Sequence, residues 1–108
     1  MAKEQDAWNL DAEDAFAVET FVDPREQDLY WETAHEREQY FRPELTYEDY
    51  APAYCVGYIG YAQYRCPFED AEKSLLANWC RIKGDSRLTL DEARTAIRAA
   101  WDRVAARG

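Results

Sequence analysis

The sequence predicts an all-α fold: a small helical bundle that closes with a C-terminal antiparallel hairpin of two Trp-bearing helices. Three observations lead there. Apolar residues recur at helical spacing through the C-terminal half, start and stop signals bracket those runs, and a 47% hydrophobic, 15% aromatic composition suits one core in 108 residues.

Taken in chain order, residues 1–22 are the least regular part, with a weak helical pattern from Ala12 to Ala17 and strand-like alternation over Val18–Val22. We expect an acidic N-terminal extension, loosely attached, ahead of a single helical domain over 23–108. The next signal is strong: Asp23-Pro24-Arg25-Glu26 joins an N-cap, a first-turn proline and an acid at the third helical position. This predicts a helix running to about Phe41, ended by Arg42-Pro43 because the residue before proline is pushed out of the helical region. A further helix is expected through Tyr64, with Asp49 as cap and Pro52 in its first turn.

The hairpin follows. Pro67 suits a first helical position, Glu69 and Asp70 occupy the first turn, Gly84 supplies a stop, and Phe68, Ala71, Leu75, Trp79 and Ile82 make one apolar stripe. Thr89 and Glu92 form a capping box that starts the last helix at Leu90, with Leu90, Ala93, Ile97, Trp101 and Val104 as its stripe. The two stripes align with each other, Phe68 on Leu90, Leu75 on Ile97 and Trp79 on Trp101, so both Trp are expected in the core.

The segment from Tyr47 to Tyr64 differs from these. Tyr47, Tyr50, Tyr54, Tyr58, Tyr61 and Tyr64 form a single stripe about 120° wide, and the other faces are nearly apolar as well. A helix of that kind is the buried centre of a bundle, and Gly57 and Gly60 admit a close neighbour. Its hydroxyls need acceptors, which the acid-rich N-terminal half can supply. Because the other helices offer one narrow stripe each, part of this helix is expected to stay open and to pair with a second copy. Tyr50, Tyr54, Gly57, Tyr58, Gly60 and Tyr61 are therefore the candidate interaction residues of a homodimer.

Charge narrows the functional classes. The chain carries a formal −9, and residues 1–50 alone hold 15 acids against 4 bases. That field disfavours direct contact with nucleic acid or an anionic membrane and favours a basic protein partner. No apolar leader and no run of eighteen apolar residues occurs, so a soluble, cytoplasmic domain without membrane contact is expected. Cys55, Cys66 and Cys80 are odd in number and lack zinc spacing, which predicts reduced thiols.

Tyr30-Trp31, Tyr40, Tyr47-Glu-Asp-Tyr50, Pro52-Ala53-Tyr54, Gly57, Leu75, Trp79, Leu88-Thr-Leu and Ala96-Ile-Arg-Ala-Ala-Trp-Asp-Arg-Val104 stand in an order that resembles a family of small, functionally uncharacterised bacterial proteins. The resemblance covers about residues 28–104. The chain departs from the pattern at Glu38-Gln39, where Arg-Pro is usual, and at Cys55, where Arg is usual. It implies a shared helical fold and an association with stress.

Chemistry-bearing patterns are sparse. Glu32-Thr-Ala-His35 has the Glu-x-x-His spacing of di-iron bundles, but His35 is the single histidine and only a symmetric dimer would duplicate it. The plainer reading packs His35 beside Trp31 and Phe41. No Gly-x-Ser-x-Gly, phosphate-binding loop or calcium loop occurs. The sequence therefore predicts a non-enzymatic, acidic, self-associating interaction module with no cofactor. The alternatives are a carboxylate/His metal-binding bundle and an acidic inhibitor that mimics nucleic acid.

Overall fold

A computed structural model describes residues 22–107. The described residues form four helices, α1 (Pro24–Ala34), α2 (Tyr47–Tyr64), α3 (Phe68–Ile82) and α4 (Leu90–Arg107), with a short 3-10 turn at His35–Arg37. The extension expected over residues 1–22 lies outside the described residues, apart from Val22, which is buried.

The signals at Asp23, Thr89 and Gly84 behave as expected, whereas Pro67 is the N-cap of α3 and not its first helical residue. The Asp23 carboxylate accepts from the Arg25 N–H with Pro24 behind it, and Thr89 and Glu92 exchange both bonds of a capping box at 2.9 and 3.1 Å. Gly84 takes φ +55 just past α3, the left-handed conformation a helix stop requires.

Two boundaries are corrected. The first helix ends at Ala34 rather than near Phe41, because Glu36, Arg37, Glu38 and Gln39 give a longer helix nothing apolar to bury. Leaving the helix there lets the chain turn back through backbone bonds from Glu38 to His35 and from Phe41 to Glu38, which sets Tyr40 and Phe41 against Tyr50. The second helix is capped at Thr46 and not at Asp49. Asp49 is instead its third helical residue, accepting the Thr46 N–H at 3.1 Å, and Pro52 lies inside the helix, beyond the first turn.

Helix α2 is the centre of the bundle and packs against α1, α3 and α4. Helix α4 runs in the same direction as α2: Asp49 meets Arg87 just before α4, Gly57 faces Ile97 and Ala100, and Tyr61 meets Trp101. Helix α3 runs antiparallel to α4, pairing Glu72 with Arg94, Glu69 with Arg98, and Phe68 with Trp101. The hairpin has the expected form, and Trp79 and Trp101 are both buried. Its stripes are not wholly buried, however. Ile82 and Leu90, where α3 ends and α4 begins, are half exposed.

Candidate interaction surface

The residues singled out for interaction are interior. Tyr50 and Tyr54 have no exposed surface, Tyr58 is 4% exposed, Gly57 and Gly60 are buried, and Tyr61 is half-buried with its ring edge-on to Trp101. A methyl group at Gly57 would collide with the Ile97 carbonyl oxygen and the Ala100 Cβ, and one at Gly60 with Leu75. These glycines admit α4 and α3 of the same chain. The expectation that they lie on a two-fold axis, with Tyr50, Tyr54 and Tyr58 open to a second copy, is corrected on that ground. The sequence argument went wrong by assigning one narrow stripe to each neighbour. Ala93, Ala96 and Ala100 of α4 are fully buried, and Ala100 lies with Ile97 against Gly57, so a small-residue face brings α4 close to α2.

The tyrosine hydroxyls find partners inside the fold. Tyr47 donates to the Asp28 carboxylate at 2.7 Å, Tyr50 accepts the Arg42 backbone N–H at 2.8 Å, and Tyr64 accepts from Asn78 at 3.2 Å. Tyr40 and Tyr54 bond hydroxyl to hydroxyl at 2.7 Å. Asp28 is one acceptor from the acid-rich half, as expected; the other partners come from nearby loops and helices. Burial, the leading cause in each case, pushes the Tyr40, Tyr47, Tyr54 and Tyr58 hydroxyls far above the ordinary phenol value.

Glu32 and His35 do not converge. Glu32 is exposed, while His35 is buried between Phe41, Tyr47 and Tyr50, with its Nδ1–H donating to the Trp31 carbonyl at 3.0 Å. Among the described residues no three His, Cys, Asp or Glu side chains gather where a metal ion could be held. The three cysteines are free thiols, Cys80 exposed and Cys55 and Cys66 half-buried.

A buried carboxylate does organise one end of the bundle. Asp49, 5% exposed, accepts from the Arg87 backbone N–H at 2.9 Å and from its guanidinium at 2.7 Å, while Ser86 donates to the Asp49 carbonyl. The Arg87 bonds, helped by the Thr46 and Arg87 backbone N–H groups and opposed by burial, hold the Asp49 carboxyl down at about 2. This clasp ties the α3–α4 loop to the start of α2. No sequence motif marks it, because its two halves lie 38 residues apart.

What the fold leaves outside is the outer face of α1. Gln27, Trp31 and Ala34 turn inward, Gln27 accepting from Arg103 at 2.8 Å. Leu29 points the other way and is 59% exposed, the most exposed large apolar side chain among the described residues. Its neighbours three and four positions away are Arg25, Glu26, Glu32 and Thr33, with Glu36 one turn further on, and all five are exposed. Tyr30 borders this face, its ring covered by the Arg103 guanidinium at 3.6 Å. Sequence reasoning passed over Leu29, although its place opposite Gln27, Trp31 and Ala34 on a helical wheel was a usable signal.

No family model, no curated protein and no solved structure matches this chain. No described helix is long and apolar enough to cross a membrane.

Proposed function

We propose that the chain is a non-enzymatic, acidic interaction module of the cytoplasm that docks a basic protein partner on the outer face of α1. The observation that carries this reading is Leu29, a large apolar side chain standing in water among Glu26, Glu32 and Glu36. An apolar anchor with Glu26, Glu32 and Glu36 around it and Arg25 as the one neighbouring base has the composition of a docking face, in which the apolar group supplies affinity and the rim charges steer the approach. The acidic excess of residues 1–50 points to the same class of partner. The family resemblance adds an association with stress. A second copy of the chain, if it is the partner, has to use surfaces other than the Tyr/Gly helix.

The test is affinity capture from the native host with wild type and with Leu29→Lys. We expect a basic protein held by the wild type and released by the variant, with the helical spectrum unchanged. Equal capture by both would refute docking on α1. Identification of the captured protein as a nucleic-acid-binding one would make the acidic face a mimic of phosphate, the alternative inhibitor reading.

A further inference from the structure

Among the described residues four large apolar side chains are exposed: Leu29, Tyr30, Ile82 and Leu90. The Arg103 guanidinium covers the Tyr30 ring, and the other three fall on two faces of opposite charge. Ile82 ends α3 and Leu90 begins α4, so they stand at either side of the loop that closes the hairpin, 50% and 51% exposed. Each continues an apolar stripe that is buried further in, through Leu75 and Trp79 on α3 and through Ala93 and Ile97 on α4, so both face the same side of the hairpin. Residues 80–90 hold Arg81, Lys83 and Arg87 against one acid, Asp85. Arg87 is engaged with Asp49, but Arg81 bonds to the neutral Asn78 side chain and Lys83 lies over the Trp79 ring. Neither is neutralised by a carboxylate among the described residues. The face of α1 is the converse: residues 24–36 hold Glu26, Asp28, Glu32 and Glu36 against one base, Arg25. Glu32 and Glu36 beside Leu29 form no ion pair among the described residues.

We propose, on the reading of α1 as a docking face, that its partner is the loop end of the α3–α4 hairpin of a second copy of this chain. Leu29 of one copy seats against Ile82 and Leu90 of the other, with Glu32 and Glu36 toward Arg81 and Lys83. A lone exposed leucine is ordinary, but here each apolar group stands in charge that the other face complements. The two faces are different surfaces, so the contact is heterologous: every copy offers one α1 face and one hairpin end. The formal −9 of the chain opposes association at long range. At physiological salt, however, charges beyond about 8 Å are screened, and the charges at the contact decide. One leucine against two apolar side chains is a small contact of the weak, transient class, so the chain is single at low micromolar concentration and associates as the concentration rises.

The experiment is sedimentation of the purified full chain at physiological salt, from low to high micromolar concentration. The wild-type mass should rise from one copy to two or more. Leu29→Lys removes the α1 face and leaves the hairpin end; a double variant, Ile82→Ser with Leu90→Ser, does the reverse. Each alone should stay single at the concentration where the wild type associates. An equimolar mixture of the two should recover a pair, because it holds one intact α1 face and one intact hairpin end. All three positions are half exposed or more, and each variant is checked for the wild-type helical spectrum. Should the double variant not fold, Lys83→Glu, also single alone and paired in the mixture with Leu29→Lys, takes its place. A wild type that stays single at high micromolar concentration, a Leu29→Lys protein that associates like the wild type, or a mixture no heavier than its components would each overturn the proposal. If the wild type stays single while Leu29→Lys still releases a basic protein captured from the host, docking on α1 stands and only the second copy is wrong.

Discussion

Helices α1 and α2 are successive along the chain and both carry aromatic residues, yet they do opposite things. Helix α2 has no polar face and is consumed by the fold: its Tyr50, Tyr54 and Tyr64 hydroxyls are hydrogen-bonded within the chain, and its glycines are filled by α3 and α4. Helix α1 buries only Gln27, Trp31 and Ala34 and leaves an acidic face with Leu29 at its centre. The comparison teaches that an unusual composition signals packing more readily than contact with a partner. A lone exposed leucine is ordinary on a protein surface, so the docking reading of α1 rests on Leu29 together with the carboxylates around it.

That contrast can be broken by substitution, and the largest effects belong to the interior. Trp101→Ala or Trp79→Ala should each lower stability by about 3–5 kcal/mol, the range for a buried large aromatic, as read from urea denaturation. A midpoint unchanged in both would mean that the hairpin does not close the core. Gly57→Ala should cost about 2–3 kcal/mol, since collision with the Ile97 carbonyl outweighs the ~1 kcal/mol gained in helix propensity. A more stable Gly57→Ala variant would place α4 further from α2 than described here.

The clasp comes next. Asp49→Asn should cost about 1–2 kcal/mol at neutral pH, because Arg87 is exposed enough to be rehydrated once its partner is neutral. The Asp49 carboxyl is depressed in the folded state, so its contribution is complete above the unfolded value, near 4, and disappears as the pH falls through about 2. The gap in midpoint between wild type and Asp49→Asn should therefore narrow between about pH 4 and pH 2. A gap that stays constant over that range would show that the carboxylate form is not what stabilises the loop. The smallest effect is expected at Leu29→Ala, within about 0.5 kcal/mol of wild type, as for an exposed site.

Local signals were legible in the sequence wherever the determining atoms lie within four residues of one another. The Asp23-Pro24 start, the Thr89/Glu92 box, the Gly84 stop and the two Trp stripes all belong to this class. The early end of α1 was only half legible: the polar run Glu36–Gln39 was there to be read, but the turn back that sets Tyr40 and Phe41 against Tyr50 depends on another helix. The site at Gly57 was misread for a related reason. The sequence shows that a close neighbour is admitted there, but whether that neighbour is α4 or a second copy depends on the alanine face of a helix some forty residues away.

The central claim, that α2 is spent on the fold while α1 is free for a partner, is tested most directly by denaturing Gly57→Leu and Leu29→Lys side by side. The account predicts that Gly57→Leu loses its cooperative unfolding transition while Leu29→Lys keeps the wild-type midpoint. A Gly57→Leu protein that unfolds like the wild type, or a Leu29→Lys protein that does not, would contradict it.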